Sequence, residues 1–168
     1  MELQNGIRIL SIPSMAWLSD TQKQNVRVWI EALRSKKYEQ GKGFLKTIDN
    51  KFCCLGVACD VVSDIFKTHW KGGPEDVCYS LESSTISGEE SVLPEEIQKF
   101  YGFKHRRVMD HIVLEDIKVP VQKMAWRGLP SLNDDEGATF EDIANILEVA
   151  IDGGYVRPGY KHLLTRET

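Results

Sequence analysis

Two adjacent cysteines, Cys53 and Cys54, open an apolar run, CCLGVACDVVSDIF, and Gln40 lies upstream of them. A thiol at a helix N-terminus feels the positive end of the helix dipole, which favours thiolate. Gln40 could donate to an oxyanion, and a later histidine with Asn133 could complete a Cys–His–Asn set. Chain order therefore permits a cysteine-dependent hydrolase or transferase. Against this, Cys54 falls on the apolar stripe of its helix, where a free cysteine is ordinary packing. None of the four histidines, His69, His105, His111 and His162, sits in a recognisable block. Cys59 and Cys78 could bind zinc only with a scattered histidine, and they lack the paired spacing of structural zinc ligands. Neither a metal nor a cofactor is expected. The cysteines make no disulfide framework, so reduced thiols in a cytosol are the plain reading.

A second set is polar. Gly56, Asp60 and Asp64 share one stripe of the same run. Gly56 leaves room for another backbone, and Asp60 one turn on could accept its amide hydrogens. The turns Gln40-Gly41 and Asn133-Asp134 are the natural partners. Gln40, Asp60, Asn133 and Asp134 then either tether loops to the core helix or give a ligand pocket its specificity, and buried polar networks favour tethering. A third set is basic: Lys104, Arg106 and Arg107 in KHRR, with Lys36-Lys37, Lys42 and Lys46 as a second cluster. Either could touch phosphate, although charge runs are usually solvated faces. GATFEDIANILE also has the look of the first helix of a helix-turn-helix. The breakers Asp152-Gly153-Gly154 and Arg157-Pro158-Gly159 then stand where a recognition helix should follow. Binding to nucleic acid is thus a disfavoured alternative.

These residues need elements to position them. Thr21 and Gln24 have capping-box spacing, and Val26, Trp29, Ile30 and Leu33 repeat at helical intervals, so a helix is predicted over 21–36. Gly41 and Gly43 break it. Residues 44–53 read as a hairpin turning at Asp49-Asn50. Residues 53–66 are apolar over most of a helix's girth and form the predicted core helix. Trp70 and Val77–Leu81 suggest short strands. Pro94, Glu95-Glu96 and Gly102 bound a helix over 94–101. HRRVMDHIVLEDI suits helix or strand. Thr139 caps a helix over 139–151, and Gly153-Gly154 stops it. GIRILSI, residues 6–12, reads as an edge strand ending at Pro13.

The chain has 168 residues, a formal charge of −4 and 42% hydrophobic residues, so it can bury a core and wholesale disorder is excluded. No run of about 18 apolar residues exists, which excludes a transmembrane helix. The start lacks the pattern of a secretory signal. Mild acidity argues against coating nucleic acid by bulk charge.

Several blocks carry a family resemblance. They are Ala32-Leu33-Arg34-Ser35 with Tyr38, Gln40-Gly41, Gly43 and Leu45; Cys53 to Asp60; Leu93-Pro94; and Leu132-Asn133-Asp134 with Gly137, Phe140, Ile143 and Ala144. In order and wording they resemble a family of small, largely uncharacterised proteins encoded by bacteriophages and some bacteria. The resemblance spans half the chain. Residues 1–19 and 103–131 depart from it and look like additions. It implies a phage or prophage origin and brings no activity. The fold expected is α+β and mostly helical, with core helix 53–66 packed by helices 21–36, 94–101 and 139–151 and a small hairpin or sheet at 43–53 and 68–81. An arm at 1–19 precedes a globular domain at 20–156 and a tail at 157–168. The arm is apolar enough to dock on a neighbouring subunit. The expected function is a non-enzymatic accessory role: binding a host or viral protein in the host cytoplasm, in counter-defence, or in the virion as a minor component.

Overall fold

A computed structural model describes residues 2–3, 6–116 and 124–159. The part of the ambiguous stretch that contains Pro120, most of the tail and His162 lie outside them. The fold is α+β, with six helices and two antiparallel sheets among the described residues.

Helix α1 spans Asp20–Arg34. Its cap is Ser19, two residues ahead of the expected Thr21. The Ser19 hydroxyl accepts from the Gln22 amide at 3.1 Å, and the Gln22 side chain accepts from the Ser19 amide at 2.9 Å. Both Ser19–Gln22 and Thr21–Gln24 satisfy the capping pattern. The earlier pair lengthens the helix and puts Asp20 at its positive end. The apolar face is the predicted one, with Val26, Trp29, Ile30 and Leu33 buried. At the C-terminal end Arg34 reaches Glu148 at 2.6 Å, Asn145 at 2.6 Å and Glu141 at 3.4 Å, all on the last long helix.

The expected core helix is two helices. α2 spans Cys54–Asp60, with every residue buried except Asp60. α3 is a single turn, Ser63–Phe66, with no buried residue. The break has a hydrogen-bonding cause. In an unbroken helix the Ala58 carbonyl would accept from the Val62 amide. Here the Tyr101 hydroxyl donates to Ala58 O at 2.7 Å, and the Val62 amide turns to Cys59 O. Trp29 similarly donates its indole N–H to Cys54 O at 3.0 Å. α2 is therefore clamped from two helices and stops where the clamp lies. Tyr101 belongs to α4, Glu95–Tyr101, which Gly102 ends in the left-handed region as predicted.

The hairpin forms around Asn50, with Thr47 N–H bonded to Lys51 O at 2.8 Å. Gly56 explains how it meets α2. A Cβ at position 56 would stand 1.8 Å from Leu45 O, so only glycine lets the hairpin backbone lie against the helix. The close approach was legible, but its partner is Leu45 rather than the turns at 40–41 and 133–134. Strands β2, His69–Lys71, and β3, Ser80–Glu82, pair beside the hairpin.

The segment expected to be an edge strand is interior. β1, Ile7–Ile12, pairs with β4, Ile112–Asp116, on one side and with β6, Tyr155–Val156, on the other; β5, Met124–Arg127, completes the order β5-β4-β1-β6. Ile9 and Leu10 are inaccessible to solvent. Buried backbone groups need partners, and both sides of β1 have them. Arg8 and Arg157 each approach the buried Glu115 carboxylate at 3.6 Å, tying β1 to β4 and to the residue after β6. The aliphatic residues of the expected arm, Ile7, Ile9, Leu10 and Ile12, are thus spent inside the molecule, whereas Trp17 remains exposed. Between β5 and β6 lie α5, Leu129–Asp134, and α6, Phe140–Ile151. α6 has the predicted Thr139 cap, completed by Asp142, and packs on α1. No described helix is long and apolar enough to cross a membrane.

Candidate functional site

Cys53 stands just before α2 and is 4% exposed; Cys54, its first residue, is fully buried. Burial pushes the Cys53 thiol up to about 12, although the backbone N–H groups of Gly56 and Leu55 pull the other way. Burial drives Cys54 well above the ordinary thiol range, with Cys53 and Asp134 adding to it. The expected dipole activation is outweighed, because removing a thiolate from water costs more than one short helix returns. His69, His105 and His111 are all exposed side chains. His69 faces Glu82 and His105 faces Asp110, each at 4.0 Å, so both lie apart from the buried doublet. Cys59 is buried, and Cys78 donates its thiol hydrogen to Glu90 at 2.8 Å. No group of three metal-ligating side chains gathers among the described residues.

The structure brings Gln40, Asn133 and Asp134 together and leaves Asp60 elsewhere. Asn133 is 1% exposed. Its Oδ1 accepts from Gln40 Nε2 at 2.8 Å and from the Cys54 amide at 3.3 Å. Its Nδ2 donates to Gly41 O and to Asp134 Oδ1, both at 2.8 Å. A side-chain amide has two donor hydrogens and two acceptor lone pairs, and all four are used. Gln40 is nearly as full: its Nε2 also donates to Ala138 O at 2.8 Å, and its Oε1 accepts from the Phe140 amide at 3.2 Å. The cluster pins the loop after α1 and the N-terminus of α6 to the start of α2. It has no polar capacity left over for a ligand at the Asn133 amide.

Asp60 serves the hairpin side. Its carboxylate accepts from the Tyr38 hydroxyl at 2.7 Å and from the Trp70 indole at 3.0 Å. Burial, then the Asp60 hydrogen bond, holds the Tyr38 hydroxyl far above the ordinary phenol range. Tyr38 meets Phe52 edge-on at 5.0 Å, Phe52 meets Trp70 at 5.9 Å, and the Lys46 ammonium lies over the Phe52, Trp70 and Tyr79 rings. This aromatic network was not anticipated. No spacing in the sequence marks Tyr38 and Trp70 as partners of Asp60 rather than of Asp64.

The basic run divides by role. The Lys104 ammonium lies 4.3 Å from the Trp17 ring centre. Arg106 is structural: its Nε donates to Leu93 O at 2.7 Å, and its guanidinium pairs with Glu89. Arg107 is exposed and makes no side-chain bond with a described residue. The backbone beyond it is strained. Val108 has φ 73°, and the Met109 amide bonds back to Arg107 O at 2.9 Å. These mark the positive-φ γ-turn, a rare form, and a β-branched residue there costs on the order of 1–3 kcal/mol. The buried Val108 and Met109 side chains hold it in place. Arg107 and Asp134, from two different predicted sets, line one groove of about 270 Å³ with Asp110, Ser131 and Ser91. After α6 come the Gly153-Gly154 turn and strand β6, so no recognition helix follows α6 among the described residues.

The fold and these contacts define a small α+β domain in which most of the polar residues singled out by sequence hold loops against a short buried helix. Residues 22–151 match a domain of unknown function, DUF8296, and the chain belongs to that family. No curated protein and no solved structure matches it.

Proposed function

We propose that the protein is a phage-encoded accessory protein that acts without catalysis, by binding a host or viral protein. The order of its blocks supports the phage origin. What carries the binding reading is the fate of the chemically capable residues: the thiols of Cys53 and Cys54 are buried, their pKa values are raised, and no described histidine stands beside them. A nucleophile needs a base within hydrogen-bond reach and a path for substrate. Action in the host cytoplasm against a defence system is one form of the role, and a minor place in the virion is the other.

The test is purification of the tagged full chain from infected cells under gentle conditions. A partner recovered in a fixed ratio, and again with the purified components, supports binding. Mass spectrometry of purified particles separates the virion role from the cytoplasmic one. Fast labelling of Cys53 or Cys54 in native protein at neutral pH by an electrophilic hydrolase probe would overturn the reading in favour of a cysteine enzyme.

A further inference from the structure

The groove beside Asp134 does not end at Arg107. A second, shallower groove of about 490 Å³ adjoins it and shares Val92, Arg107 and Asp110 with it; Lys104, His105 and Arg106 line its far side. The two form one track with opposite charge at its ends. Lys104 stands toward one end, Arg107 and Asp110 stand where the grooves meet, and Asp134 stands toward the other end. Arg107 lies at the junction, exposed and without a side-chain bond to a described residue, on a γ-turn whose strain the buried Val108 and Met109 maintain. Strained backbone recurs at ligand clamps. The whole chain carries a formal charge of −4, so this local cationic stretch runs against the overall field.

We infer that this track is the docking surface for an extended protein segment that lays carboxylates along Lys104 and Arg107 and a basic side chain against Asp134. This rests on the partner-binding reading above and names its surface. A nucleic acid suits the track less well. It would be drawn to Lys104 and Arg107, but its continuous phosphates would meet the carboxylates of Asp110 and Asp134. A bipolar peptide can confine its carboxylates to Lys104 and Arg107 and place basic side chains at Asp110 and Asp134, which fixes its direction as well as its place.

The experiment uses the full chain and three fluorescent probes. One is a peptide with glutamates at one end and a pair of lysines at the other. The second is an all-glutamate peptide of the same length, and the third a single-stranded oligonucleotide. Binding is read by anisotropy, and the site by amide shifts in the NMR spectrum. The bipolar peptide should bind best, weaken with salt, and shift Arg107, Asp110 and Ser131. R107E should weaken it at least about tenfold, with an otherwise unchanged amide spectrum. A peptide with one glutamate replaced by lysine should regain affinity for R107E. Absence of binding, equal binding of the all-glutamate peptide, an oligonucleotide that binds more tightly, or indifference to R107E would each overturn the inference. A partner recovered from infected cells that binds R107E as well as the native chain would remove this surface and leave the binding reading standing.

Discussion

The amide cluster at Gln40 and Asn133 and the cationic turn at Lys104–Asp110 are both polar and both apparent in the sequence. They differ in saturation. At Asn133 every donor and acceptor has a partner inside the protein. At Arg107 the guanidinium has no bonded partner among the described residues, and the backbone under it is strained. The first arrangement converts polarity into rigidity, while the second holds polarity in reserve for something outside. Residue type alone does not separate a tether from a site; the count of unused hydrogen bonds does.

Substitutions should part along that line. The largest effect is expected next to the tether, for Gly56→Ala. Its methyl group would overlap Leu45 O, with backbone on both sides and nothing flexible to move. A loss above about 4 kcal/mol is expected, read as insoluble expression or the absence of a cooperative urea transition. Asn133→Ala comes next. It strands the Gly41 carbonyl, the Cys54 amide and one Gln40 hydrogen in the interior, at about 3 kcal/mol, seen as a lower urea midpoint. Asn133→Asp should fare little better, since a carboxylate cannot donate to Gly41 O.

The Cys53 thiol gives a pH signature. Its folded pKa is raised from 9.0 to about 12, so the folded state keeps a proton that the unfolded chain releases. The associated stability is present below pH 9 and is lost as pH rises toward 12, by up to about 1.4 kcal/mol per pH unit. Thermal melts across that window should show the decline, and Cys53→Ala should make it shallower. The smallest effect on stability is expected at the turn: Arg107→Ala should leave the unfolding free energy from urea titration within about 0.5 kcal/mol of the native value. A large loss there would erase the contrast between the two regions.

Much of the architecture was legible, for local reasons. Val26, Trp29, Ile30 and Leu33 on α1 and Phe140, Ile143, Ala144 and Leu147 on α6 repeat at helical spacing and are buried as that spacing requires. The misreadings are non-local. Cys53 to Phe66 looks like one helix because its apolar period runs on through Val61 and Val62. The break comes from the Tyr101 hydroxyl, some forty residues away in sequence. The Ile7–Ile12 strand read as an edge because nothing near it announces two partners. Gln40, Asn133 and Asp134 were grouped correctly, because conspicuous polar turns must satisfy themselves somewhere. Asp60 was misassigned, because the aromatic pair that claims it, Tyr38 and Trp70, shows no spacing that singles it out. Arg107 was seen as one of a run, and only the fold separates it from Arg106.

The position of β1 also bears on how the chain is made. Ile7–Ile12 leaves the ribosome well before its ladder partners, Ile112–Asp116 and Tyr155–Val156, which follow only after roughly a hundred residues or more. Until then an isoleucine-rich strand is without its neighbours, while α1 to α4 are made before β4, and α5 and α6 before β6. Its insertion between β4 and β6 is therefore a late event, and a chaperone that shields this strand would act in the interval before β4 and β6 are made.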